Sequence, residues 1–407
     1  MASPLSHPGF SHTGTEPRQA LVIGAGLSGS AVAHSLAYRG WAVTVLDQAQ
    51  GLGAGASGLP AGLAAPHVSP DDNVLSRITR AGVRATLQRA DALLQSGTDW
   101  ALTGVLEHNL AGKRRLPKAD PGNSASANTS ADNPHGMSTL ASAAQIAAAG
   151  LPPETPALWH GQAGWIRPRQ LVAAQLQTPG IEVLWGQTVH AIERRGALWT
   201  ASNAQGQILG EAPLLVLASA FDSLALLSPL PGLTVPLKPL RGQISFGHMA
   251  ALNAPQRQLL PPFPVNGHGS FISGVPAPDG QPGWFIGSTF ERDCIQAPVR
   301  VQDHAANQLR LATLLPELGA AMHTQFAPEL VQGWAGLRCT LPDRLPAVGP
   351  IDSQRLPGLW LCAGMGARGI SLAVLCGELA AAWLNNEPLP LPPALVKHLS
   401  AERFVRT

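Results

Sequence analysis

Gly24, Gly26 and Gly29 stand in the spacing G-x-G-x-x-G, and Asp47 follows 18 residues after the last of them. Each position suits a nucleotide carrying a pyrophosphate. Gly24 permits a tight turn, Gly26 lets phosphate reach the backbone, and Gly29 lets a helix pack on a strand. The helix N-terminus then faces the phosphates, and Asp47 holds ribose hydroxyls. A second glycine set, Gly364, Gly366 and Gly369, surrounds Arg368 near the other end. Between them lies "GLRCTLPDRLPAVG" (336–349), which places Arg338 among apolar residues. A guanidinium fork there would bind a carboxylate bidentately. The same arginine also reads as a partner of Asp343 or of a carbonyl in a structured loop. Arg368 reads as a ligand of a flavin edge or substrate, or as a helix cap.

These residues need particular elements around them. "ALVIG" is expected to be a buried parallel strand, "SAVAHSLAYRG" a helix ending at Gly40, and "WAVTVLD" a second strand. "GLWLCAGMGARGISLAVLCGELAAAWL" (358–384) reads as strand, glycine turn and helix. A second helix N-terminus of this kind suits a flavoenzyme, where its positive end stabilises the reduced ring. Residues 51–82 form a small-residue loop holding Ser57, Gly58 and Gly62, able to lie flat against such a ring. Residues 181–220 read as strand, hairpin and strand. Arg241 in "PLRGQIS" reads as a structural partner, and His67 as a loop residue. No side chain stands out as a general base; an amine arriving neutral requires none.

Composition bounds the rest. The chain has 407 residues, 45% of them apolar and 13% charged, with a net charge of +2. That length suits two domains, and that charge offers no strong field for nucleic acid. The four cysteines match no metal spacing; Cys362 and Cys376 read as core residues. The run "PLLVLASAFDSLALL", read as the longest apolar one, is too short to span a bilayer, and no signal peptide is evident. A cytoplasmic protein with no membrane partner is expected. Arg77, Arg80 and Arg84 share a helical face, and Lys113, Arg114, Arg115 and Lys118 cluster; both read either as RNA contacts or as ordinary solvated surface.

The turn "GAGLSG", with "GASGLPAGLAAPHVSPDD", "GWIRPRQL", "PLRGQIS", "GSTFERD", "GLRCTLPDRLPAVG" and "GARGISLAVLCGELAAAWL", occurs in the order seen in amino-acid-oxidase-type flavoproteins, the D-amino-acid-oxidase and glycine-oxidase-like family. Residues 19–406 resemble that family. Within it they most resemble the FAD-dependent oxidoreductase half of the bifunctional tRNA 5-methylaminomethyl-2-thiouridine biosynthesis enzymes. The resemblance implies an α/β fold: a Rossmann-type FAD-binding domain and a second, mostly antiparallel α+β substrate domain. The first is expected over 19–82, 160–225 and 331–407, the second over 83–159 and 226–330. A disordered tail is expected at 1–18 and a mobile insertion at 119–138.

The resemblance also implies non-covalent FAD held by Gly24, Gly26, Leu27, Ser28, Gly29, Asp47, Gln48, Ala56, Ser57, Gly58, Gly62, Gly366, Ala367, Arg368, Gly369 and Ile370, with the Val189 backbone beside the adenine. Cys339 is not expected to attach the flavin. Arg338, at the family's "GLR" segment, would hold the substrate carboxylate, with Arg368 second. The implied reaction cleaves the carboxymethyl group of carboxymethylaminomethyl-2-thiouridine from tRNA, giving aminomethyl-2-thiouridine and glyoxylate. Oxidation of a small amine such as glycine or sarcosine is the alternative. Only about 18 residues precede the first strand, so the following methylation is expected from a separate methyltransferase.

Overall fold

A computed structural model describes residues 18–108, 134–230 and 232–404. The chain divides into two compact units. The first is built from residues up to Ser57, from Arg169–Pro239 and from Arg338 onward; the second from Gly58–Pro168 and Leu240–Leu337.

The first unit is organised by a sheet with the order Ala347–Pro350, Leu359–Ala363, Leu214–Leu217, Gln19–Ile23, Ala42–Asp47, Ile181–Trp185. All neighbours pair in parallel except Ala347–Pro350, which runs antiparallel to Leu359–Ala363. The sequences "ALVI", "LLVL" and "LWLCA" are apolar without alternation because both faces are covered. Leu21, Val22, Leu215, Leu217, Leu359 and Leu361 are buried accordingly. The first strand lies mid-sheet, with later strands on both sides. The strand order reverses there, which is where such folds bind ligands.

Two helices cross this sheet in contact with one another. Gly377 of Gly369–Leu384 lies so close to Leu27–Ala37 that a Cβ would fall 2.5 Å from the Ala31 carbonyl oxygen. The helical stretch Gly366–Leu384 is long and apolar enough to cross a membrane, a run longer than the one singled out above. In this fold 78% of its most apolar stretch is buried inside the protein. Arg39 ties the two helices through Glu378 and Glu387, both at 2.9 Å. Arg18, expected in a disordered tail, instead stacks over Trp41 at 4.6 Å. Residues 1–17 lie outside the described residues.

Among the described residues the second unit holds a nine-stranded, mostly antiparallel sheet and a three-stranded one made of Gly62–Ala64, Gly164–Ile166 and Trp100–Ala101. That small sheet draws 58–82 and 160–168 into the second unit, contrary to the expected boundaries. Residues 226–239 go the other way, because Leu226, Leu227, Val235 and Leu237 join the core of the first. Phe271, Trp284, Ile286 and Leu311 centre the second core. The basic cluster at 113–118 and all of the expected insertion before Pro134 lie outside the described residues.

The helix Val74–Leu93 starts at Asn73, whose side chain caps the Ser76 N–H at 3.1 Å. It corrects one expectation. Arg80 is 2% exposed and forks onto Asp72 at 2.5 and 3.0 Å, so it is unavailable to RNA. The fork holds Asp72 at φ +46°, a strained conformation for aspartate. Asp72→Ala should therefore strand a buried guanidinium and cost about 3 kcal/mol in urea unfolding, whereas Asp91→Ala on the same helix should stay within about 0.5 kcal/mol. Equal costs for the two would show that the Arg80 pair adds nothing.

Candidate functional site

The first glycine turn is shaped by backbone lying against backbone. Gly24 has φ +105°, and a Cβ there would sit 2.8 Å from the Ala218 carbonyl group. A Cβ on Gly29 would lie 1.7 Å from the Gly24 oxygen. The turn therefore fits only between the ends of Gln19–Ile23 and Leu214–Leu217 and against its own helix. Gly26 precedes the helix Leu27–Ala37 in extended conformation. Its missing side chain leaves room beside Ser57, whose hydroxyl accepts the Leu27 N–H at 2.9 Å.

Asp47 closes the second strand as expected. Its Oδ2 accepts the Ala25 N–H at 2.6 Å and its Oδ1 the Ala49 N–H at 2.8 Å. The carboxylate thus fixes the turn while keeping lone pairs for further donors. Gln48 beside it donates to Asp222 at 3.2 Å. Sequence reading missed Asp222; its signal was its place just after the strand "LLVL", at the order reversal. Val189 lies half-buried between Ile181–Trp185 and Ala191–Arg195, packed on the core.

The late glycine turn is brought to the first. A Cβ on Gly369 would touch Leu27 Cδ1 at 3.5 Å. Gly364 and Gly366 have φ +81° and +57°. Gly364 admits Leu341, whose Cδ1 would lie 2.5 Å from a Cβ there, and Gly366 lies against the Thr340 methyl, 3.5 Å from the same construction. Ala367, Arg368 and Ile370 therefore sit with Gly26, Leu27 and Ser28 at one end of the sheet. Arg368 precedes the helix Gly369–Leu384, but its side chain makes no capping hydrogen bond to it. Neither helix has an acidic residue in its first turn. Two helix N-termini, unopposed by carboxylates and approached by side-chain-free backbone, fit a dinucleotide pyrophosphate and an anionic ring edge. Of the other expected residues, Ala56 and Ser57 belong to this unit, while Gly58 and Gly62 fall in the second, Gly62 within a strand.

Residues 336–349 are not a single loop. Arg338 and Cys339 belong to the strand Gln332–Thr340, and a tight turn leads to Ala347–Pro350. Strand side chains alternate, so Arg338 shares a face with Thr340, the residue lying against Gly366. The arginine's Nη1 is sealed from solvent, and burial lowers its pKa to about 10. It is still cationic at neutral pH, and a desolvated guanidinium gains most from an anionic partner. Asp343, weighed above as its partner, is held by Arg403 at 2.9 Å. Arg241 is structural, as read from the sequence: fully buried, it reaches Asp303 at 2.8 Å and Glu291 at 3.5 Å. His67 donates its backbone N–H to Thr79.

These features define an α/β dinucleotide-binding unit with a largely desolvated cation, Arg338, two residues from Thr340, the residue that abuts the late glycine turn. The chain belongs to the FAD dependent oxidoreductase family, whose model matches residues 19–383. It is 49% identical over 379 residues to the tRNA 5-methylaminomethyl-2-thiouridine biosynthesis bifunctional protein MnmC of Polaromonas naphthalenivorans (strain CJ2), covering 92% of this chain and 58% of that protein. It is 46% identical over 410 residues to the protein of the same name from Delftia acidovorans (strain DSM 14801 / SPH-1), covering 96% and 61%. The chain thus spans about three-fifths of the length of these relatives. Glycine oxidase from Geobacillus kaustophilus shares the fold, with TM-score 0.70 and 19% identity over 96% of this chain and 100% of that one.

Cys339 is 6% exposed, and its thiol is pushed up to about 12, chiefly by burial and also by the Asp222 charge. The folded state thus holds this proton more tightly than the unfolded one. The stability it contributes is full below about pH 9 and is lost as pH rises toward 12. With iodoacetamide at pH 8, half-buried Cys294 should react first, and Cys339, Cys362 and Cys376 only on unfolding. Early labelling of Cys339, read by mass spectrometry, would contradict this burial.

Proposed function

We infer that this chain binds FAD non-covalently and oxidises a secondary amine bearing a carboxymethyl group. The substrate proposed is carboxymethylaminomethyl-2-thiouridine at the tRNA wobble position, and the products are aminomethyl-2-thiouridine and glyoxylate. Near half-identity to the bifunctional relatives supports the substrate. The observation that carries the chemistry is the desolvated Arg338 on the strand face that abuts Gly366.

Bound FAD supplies a two-electron acceptor for the carboxymethyl C–H bond. The chain's own residues do the holding. The backbone of Gly24–Gly29 and the N-terminus of Leu27–Ala37 bind the pyrophosphate, and Asp47 accepts ribose hydroxyls. The N-terminus of Gly369–Leu384, with Ala367, Arg368 and Ile370, stabilises negative charge at the ring edge. Arg338 grips the carboxylate through two parallel N–H bonds and so fixes the adjacent carbon. The amine arrives neutral and needs no base. Water hydrolyses the oxidised C=N bond to a primary amine and glyoxylate, and that amine is what a methyltransferase would then modify. The high-pKa thiol of Cys339 makes a poor flavin nucleophile, which supports non-covalent binding.

Mixed without oxygen with tRNA carrying the carboxymethylaminomethyl group, the yellow protein should bleach, and glycine or sarcosine should leave it coloured. The reverse pattern would replace the tRNA reading with a small-amine oxidase. Arg338→Ala should keep its flavin but raise KM roughly 10- to 100-fold, the equivalent of about 1.5–3 kcal/mol for charge-assisted hydrogen bonds. Unchanged kinetics would remove Arg338 from the site.

A further inference from the structure

The closing segment of the described chain makes contacts that the reaction above does not use. Arg403 lies in the short turn Ala401–Phe404 with its side chain 15% exposed. Its guanidinium is saturated. Nε and Nη2 donate to the two oxygens of Asp343 at 2.9 and 3.4 Å, and Nη2 also reaches the Leu345 carbonyl at 3.1 Å. Nη1 donates to the carbonyls of Leu399 and Ser400 at 3.1 and 2.9 Å, which anchor it to its own segment. One side chain therefore staples the end of the chain to the turn 341–346.

That turn is strained and has little to hold it from within. Arg344 has φ +62°, a left-handed conformation that costs a non-glycine residue about 1 kcal/mol or more. Its internal bonds are Arg344 N–H to Leu341 O at 3.0 Å and Leu345 N–H to Asp343 Oδ1 at 3.1 Å. The second of these depends on the carboxylate that Arg403 grips. The same turn begins at Leu341, which packs into the space left by Gly364, three residues after Arg338. The order of contacts is thus Arg403, Asp343 and Leu345, then Leu341 against Gly364, with Arg338 and Thr340 on the strand that feeds the turn.

We propose that Arg403 is a positioning residue for the oxidation: by clamping Asp343 and Leu345 it sets where Arg338 stands relative to the late glycine turn. This rests on Arg338 being the carboxylate ligand. The clamp touches neither substrate nor cofactor. It acts because displacing a binding group by an ångström or less weakens a geometry-dependent interaction. A nearby residue of the same charge would not do the same. A lysine offers a single point of contact and cannot span Asp343, Leu345 and the carbonyls of 399 and 400 at once.

The test is a double-mutant cycle on flavin-loaded full-length protein. The probe is whichever of carboxymethylaminomethyl tRNA or sarcosine bleaches the wild-type flavin anaerobically. Arg403→Ala should lower kcat/KM about tenfold, mostly through KM, with flavin absorbance retained. Asp343→Asn should do the same, and Arg403→Lys should recover only part. In an Arg338→Ala background, Arg403→Ala should change kcat/KM by less than about twofold, because the positioned group is gone. Independent, multiplying losses would overturn the proposal, as would wild-type kinetics in Arg403→Ala. If Arg338→Ala alone leaves kinetics unchanged, the carboxylate reading falls, and this proposal with it. If neither probe bleaches the wild-type flavin, iodoacetamide labelling of Cys339 at pH 8 decides. Faster labelling in Arg403→Ala upholds the clamp on that strand, and wild-type protection overturns it. Should Arg403→Ala fail to fold, Arg403→Lys and Asp343→Asn carry the same cycle.

Discussion

The close approach of Gly29 to the Gly24 carbonyl constrains everything else in the first unit. At 1.7 Å from that oxygen no side-chain carbon can exist. The helix can thus start directly above the strand end, and its N-terminus points at the gap where the sheet order reverses. Gly24 meets the Ala218 backbone at 2.8 Å for a related reason: the turn lies over the next strand as well as its own. These contacts are steric, so they hold whether or not a ligand is bound. The turn's shape is thus set by packing within the chain, and a phosphate held there, as proposed, would meet backbone fixed by those contacts.

A second constraint is electrostatic. With only 13% of residues charged, the chain has few ion pairs to distribute, and several are placed where backbone must be held in an unfavourable shape. Arg80 fixes Asp72 at φ +46°, and Arg403 fixes the turn containing Arg344 at φ +62°. In each case a guanidinium fork satisfies a carboxylate bidentately and so determines its orientation as well as its position. Arg338 differs from both in what the structure does to its charge: burial lowers its pKa to about 10. Arg39, by contrast, has a raised pKa despite burial, because Glu378 and Glu387 flank it.

What the sequence revealed follows from which interactions are local. The turn 24–29, its strand and its helix were legible because glycine spacing, apolar runs and Asp47 all lie within thirty residues. The late strand and helix were legible for the same reason. The strand Gln332–Thr340 was not, because "GLRC" is bounded by turn-forming residues while its pairing partner lies nearly a hundred residues earlier, at Lys238–His248. Arg80 was read as surface from its helical spacing, yet the residue that buries its charge, Asp72, precedes the helix. The domain boundaries moved for a similar reason: Gly62–Ala64 joins the second unit by pairing with Gly164–Ile166, a hundred residues on, and by packing Leu63 on the core around Phe246.

The same logic explains why the two glycine turns behave as one feature though they lie at opposite ends of the chain. Each leaves the N–H groups of a helix start without an acidic residue in the first turn. What makes them a single site is the contact of Gly377 with the Ala31 backbone, which sets the two helices side by side. A larger residue at 377 would push the helices apart and separate the two N-termini, although every residue in both turns stayed intact. The pairing of the two turns therefore depends on a glycine two helical turns from the N-terminus of Gly369–Leu384. That dependence cannot be read from either turn alone, since it belongs to the packing of the helices behind them.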